Sequence, residues 1–180
     1  MPDDQELVPS AAPSDWEEVD LGPVQVSAPP EWQRGEDTQP TETITQSVWR
    51  APEVDGVSGG GLDVKIISKP QQSAAKNAES LGISAMAMLQ AGKVEPVEIQ
   101  WPNAEEAYLL EYESKLTTRP GTTEDPTPQP LDEPITLVTR TLVLGLADGS
   151  QVQVTALSST SAELPDQAVA STVVAEPAEG

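Results

Sequence analysis

The chain has 180 residues, 30 acidic against 9 basic, for a formal net charge of -21, with 18 prolines and no cysteine, histidine or phenylalanine. That charge opposes nucleic acid and anionic bilayers, whose binding depends on Lys and Arg displacing counterions, and leaves basic proteins as the better electrostatic partners. Without Cys or His there is no disulfide framework, thiolate or imidazole nucleophile system, and no common zinc site.

Residues 1–14 mix Pro, Ser, Ala and acids without periodicity, which predicts a flexible acidic arm. The opening Met1, Pro2, Asp3, Asp4, Gln5 and Glu6 is the reverse of a secretory signal, and no cysteine is present to be lipidated. The apolar stretch from Ile83 to Leu89 is far short of the roughly 20 residues that span a bilayer, so a cytoplasmic protein without membrane insertion is expected.

One domain is expected over residues 15–175. Val19 and Leu21, then Val24 and Val26, flank a hairpin turn at Leu21 and Gly22, followed by a proline stop and Trp32. Ile44 to Arg50 has strand composition, and Leu62, Val64 and Ile66 share one face of an alternating strand that Pro70 ends. From Ser73 to Ala91 the positions Ala74, Ala78, Leu81, Ala85, Met88 and Leu89 recur at helical spacing, with Ser73 as N-cap and Gly82 as a costly interior residue that a close helix approach would explain. Val97, Ile99 and Trp101 pair through a Pro102-Asn103 turn with Ala107 to Tyr112. Residues 117–134 form a proline-rich exposed loop, Ile135 to Leu146 a long strand, and Asp148-Gly149 turns it into Gln151 to Leu157. Leu164 to Val174 closes the domain as a short helix, and residues 176–180 are a flexible tail. Strands joined by short turns pair antiparallel, and two helices can cover one face, so the predicted class is an α+β two-layer sandwich with its helices packed on one face.

The run Trp16, Val19, Gly22, Val24, Val26, Pro29 and Trp32, followed by strands, an Ala-rich helix, two hairpins and a final helix, resembles the PsbP/Mog1-like superfamily. Within it, the chain is similar to the bacterial branch of LpqN-type lipoproteins, DcrB-like proteins and Eag chaperones of type VI secretion effectors. The signal and lipidated cysteine of such lipoproteins are missing here. The resemblance implies a non-enzymatic binding or assembly module.

No residue pattern suggests catalysis. Ser68, Ser84 and Ser158 lack a nucleophile elbow, and the acidic pairs such as Glu17/Glu18 and Glu124/Asp125 lie in solvated segments without a calcium-loop pattern. The glycines 59–61 precede a strand, not the helix that a phosphate loop feeds. Neither cofactor nor metal is expected. The aromatic residues suit core packing, and any that line a free sheet face become anchors for a partner. That face is expected to carry Tyr108, Leu110 and Tyr112, or Leu142 and Leu144, and to receive a protein that is basic or has an exposed apolar segment. The expected function is that of an assembly factor or chaperone-like adaptor. The alternative is a carrier of a small apolar ligand or lipid in the same groove.

Overall fold

Apolar and polar residues alternate in several segments, such as Leu62 to Ile66 and Gln151 to Thr155, and the computed structural model is dominated by strands; it describes residues 9–54, 57–88, 94–119, 124–127, 129–160 and 163–175. In order, the elements are β1 (Glu17–Asp20), β2 (Val24–Ala28), β3 (Gln33–Arg34), β4 (Thr38–Thr41), β5 (Ile44–Arg50), β6 (Glu53–Val54), β7 (Val57–Ser58), β8 (Gly60–Ile67), α1 (Ala74–Met88), β9 (Val97–Glu98), β10 (Glu106–Arg119), β11 (Gln129–Gly145), β12 (Gln151–Ser158), α2 (Glu163–Ala170) and β13 (Val173–Val174). The main sheet is antiparallel throughout, in the order β3-β5-β8-β12-β11-β10-β9 with β4 also on β5; a second sheet has the order β1-β2-β13, and β6 and β7 pair with each other.

Local chemistry sets the turns. Gly22 takes φ 99° between β1 and β2, and its N–H donates to Asp20 Oδ1 at 2.8 Å. Gly149 takes φ 91° between β11 and β12, where the Asp148 carboxylate accepts from the Ser150 N–H. Ser73 caps α1 by accepting the Lys76 N–H at 3.2 Å.

Register decides which faces need cover. Leu109 stands opposite Leu142, Leu142 opposite Val154, and Val154 opposite Val64, so these residues share a first face with Leu144, Val152, Ala156, Leu62 and Trp49. All are buried, in one cluster with Val24, Val26, Trp32, Ala168 and Val169 from the small sheet, its following turn and α2. The intervening residues point to the second face, where Leu110 and Val143 form a separate cluster with Ala74, Ala78 and Ala85 of α1. The two helices therefore lie on opposite faces. This overturns the expected sandwich with both helices on one face. The molecule is a β-rich fold of mainly antiparallel sheet, whose first face is covered jointly by α2 and a second sheet. The physical reason is that β10 and β11 are apolar on both sides, so one layer of helices cannot bury them.

Three other expectations change. The segment Leu164 to Val174 does not remain helical: α2 ends at Ala170, and β13 joins β2. Residues 117–134 are not all loop, because β10 runs to Arg119 and β11 starts at Gln129, with a register shift between Leu116 and Thr118. Pro134 falls within that shift, where it breaks no paired ladder position. Of the expected arm and tail, residues 1–8 and 176–180 lie outside the described residues, while the Ser10 N–H donates to the Ala170 carbonyl at 2.9 Å and so ties part of the arm to the end of α2.

Gly82 lets α1 approach the chain beneath it: a Cβ there would lie 2.9 Å from the Val94 carbonyl oxygen and 3.5 Å from Leu110 Cδ2. Gly82→Ala gains about 1 kcal/mol of helix propensity, but overpacking against backbone costs about 1–3 kcal/mol. We predict a net loss of stability in urea unfolding; a variant more stable than the parent would show that α1 is not pressed onto Val94.

Candidate functional site

Leu110, Leu142 and Leu144 are all 0 % exposed, so they cannot meet a partner at a free face. Leu142 and Leu144 point to the first face, and Leu110 lies in the cluster under α1 with Val143. Their role is to hold the sheet to its covers. Tyr108 and Tyr112, by contrast, are half-buried and pack against the α1 cluster. The Tyr108 hydroxyl lies 3.5 Å from Glu106 Oε1 and donates to it. Burial raises the Tyr108 pKa above the ordinary phenol value, and the negative charges of Glu106 and Glu98 push it the same way. Burial also raises that of Tyr112, against the opposing effect of a hydrogen bond with Thr139.

Beyond α1 the second face changes character. Across β10, β11, β12 and β8, one row runs Tyr112, Thr139, Leu157, Gly61. The next runs Leu110, Thr141, Thr155, Asp63 and reaches Val48 on β5; the third runs Tyr108, Val143, Gln153, Lys65 and reaches Gln46. On β8, β12 and β5 these residues are only half-buried, unlike most of their first-face neighbours. Thr141 and Thr155 hydroxyls lie 3.1 Å apart, and Gln46 Nε2 donates to Asp63 Oδ2 at 2.6 Å. Asn77 of α1 donates its side-chain amide to Gln151 Oε1, and Gln151 Nε2 donates to the Gln72 carbonyl at 2.7 Å, which anchors the start of α1 at the end of β12. Leu137 lies one alternation beyond Thr139 on the same face and is also half-buried.

The result is a surface of hydrogen-bonding side chains with Tyr112, Leu137 and Leu157 at one end and Val48 at its side. The sequence reading missed most of it, although the alternation in Leu62-Asp-Val-Lys-Ile66 and Gln151-Val-Gln-Val-Thr155 already places Asp63, Lys65, Gln153 and Thr155 opposite the core. On the other face, Arg140 binds Asp166 of α2 at 2.9 Å and lies 3.7 Å from Glu111, fastening α2 to β11. Among the described residues no group of three or more acidic side chains could hold a metal ion, and no helix is long and apolar enough to cross a membrane.

No protein-family model and no curated protein matches the chain. Among solved structures, a protein of unknown function from Pseudomonas aeruginosa, PA94, is similar over 91 % of this chain and 99 % of its own, with 14 % identity and a TM-score of 0.48. A chain from Bacteroides thetaiotaomicron is similar over 86 % of this chain and 46 % of its own, with 10 % identity and a TM-score of 0.43.

The chain has 2 tyrosines, both at this site. Their raised pKa values mean that the fold favours the protonated phenol, so this contribution to stability is full below the unfolded value of 10.0 and is lost as pH rises through the folded values. Ultraviolet titration should show tyrosinate appearing later in the native protein than in urea; coincident curves would place both rings in open solvent.

Proposed function

We propose that this chain is a non-catalytic protein-binding module, an assembly factor or chaperone-like adaptor, that takes its partner on the second sheet face beside α1. The observation that carries this reading is the mismatch in coverage: α1 packs on β10 and β11, while half-buried residues of β12, β8 and β5 remain on the same face. Backbone and side-chain polar groups of a peptide segment can satisfy Gln46, Asp63, Lys65 and Gln153, and its apolar residues can cover Tyr112, Leu137 and Leu157. An acyl chain would strip water from these four polar groups and offer no hydrogen bond beyond the one that Gln46 already gives Asp63, which is costly, so protein is preferred to lipid as the occupant. The net charge of -21 favours a cationic partner through faster encounter. The resemblance to the PsbP/Mog1-like superfamily points the same way.

A photo-crosslinking residue at Leu157 or Val48, in full-length protein in its native cell, should give a defined protein adduct that a probe at exposed Glu31 does not. With that protein in hand, Leu157→Glu should weaken its capture by at least about tenfold, or ~1.4 kcal/mol, with the urea midpoint unchanged. Identical adducts from Glu31, or full capture by a folded Leu157→Glu variant, would remove the site.

A further inference from the structure

The main sheet ends differently on its two sides. At one edge β5 is covered by both β3 and β4; at the other, β9 pairs with Tyr108 and Leu109 and reaches no further along β10. The Ile99 N–H donates to the Ala107 carbonyl at 2.9 Å, which shows that odd-numbered residues of β10 turn their peptide groups outward. Register with β11 is unbroken from Glu106 to Leu116, so Glu111, Glu113 and Lys115 do the same, and no described residue pairs with them from outside. Their side chains are exposed. An open edge of this kind invites another strand unless charge guards it. Here the charge is lopsided, with Glu111 and Glu113 joined by Glu98 and Glu106 against Lys115. Arg140 does not neutralise Glu111 fully, because it sits closer to Asp166, at 2.9 Å against 3.7 Å.

We infer that an extended segment of a partner protein, with Lys or Arg alternating with apolar residues, adds as an antiparallel strand to the outer edge of β10. Residues opposite Glu111 and Glu113 share their face, so cations there meet the two carboxylates. The intervening residues share the face of Tyr112 and Ser114, so apolar side chains there lie against the Tyr112 ring. A second copy of this chain is the poorer occupant, since it brings a further charge of -21 to an acidic edge. The inference rests on the protein-binding reading and adds a second contact, at the sheet edge and apart from the polar face on β12, β8 and β5.

The test is fluorescence anisotropy of the full-length protein with a short labelled peptide alternating Lys and Val. It should bind more tightly than a peptide of the same composition with its lysines and valines in separate blocks. Methylating the lysine backbone nitrogens, which face β10 in this pairing, should abolish binding, whereas methylating the valine nitrogens should not. Glu113→Pro, which removes an outward N–H and leaves the ladder to β11 intact, and Glu113→Lys should each weaken binding at least about tenfold. Glu31→Gln, at an exposed residue just before β3 at the opposite edge of the sheet, should leave it unchanged. Equal binding of the block peptide, indifference to lysine methylation, or an unchanged affinity in folded Glu113→Lys would overturn the inference. So would a dimer, seen by light scattering, that the Glu113 variants dissociate, because the edge would then belong to a second copy. Absence of any peptide binding overturns it too, while the adduct at Leu157 decides the broader reading separately.

Discussion

The register between β10 and β11 is the constraint on which the rest of the structure depends. Because Leu109 faces Leu142 and Leu110 faces Thr141 beside Val143, this pair of strands presents apolar side chains on both sides. A slip of one residue would exchange the two sets and turn every polar neighbour inward. Both sides need a cover, and the chain supplies two of different kinds. On β12, β8 and β5 the alternation is one-sided, so the second face there is polar and receives no helix of its own.

The two covers are held by different chemistry. α1 lies close because its contact residues are small: Ala74, Ala78 and Ala85 are buried, and Gly82 leaves room for the Val94 carbonyl. Such a contact depends on close approach more than on side-chain area. The cover on the first face is pinned by polar bonds as well. Arg140 holds Asp166, the Trp101 indole donates to the Thr172 carbonyl at 3.2 Å, and Asn103 donates to the Val174 carbonyl at 3.2 Å. These bonds tie the turn before β10 to the end of α2 and to β13, so the long β10-β11 pair is fixed at its base. A rigid base suits both proposed contacts, since an edge or face that is already in place loses less freedom when a partner docks.

Charge gives the molecule a direction. The acidic excess is spread over exposed positions, and along β10 it meets an edge whose backbone groups are turned outward. In the proposed strand addition, negative side chains at that edge would disfavour a second copy of this chain and favour a cationic strand, so one feature would act in both directions. The polar face beside α1 lacks such a strong sign, with Lys65 near Asp63 and amides around them. A partner on that face, as proposed, would be selected by hydrogen-bond geometry.

By itself the sequence determined the elements whose causes are local. The β1-β2 turn at Gly22, strand β5 from Ile44 to Arg50, the cap of α1 at Ser73 and the turn at Gly149 each follow from a neighbouring glycine, hydroxyl or alternating pair. Leu62 and Val64 were legible as core, and so was the need for a close approach at Gly82. What the sequence could not give was which side of the sheet each helix would take, because Leu109 and Leu110 look alike until β11 fixes their register. That non-local choice buried Leu110, Leu142 and Leu144, left Tyr108 and Tyr112 at the margin of α1, and opened the face bearing Gln46, Asp63, Lys65, Gln153 and Leu157. Alternation names the two sides of a strand, but only pairing and packing decide which side meets water.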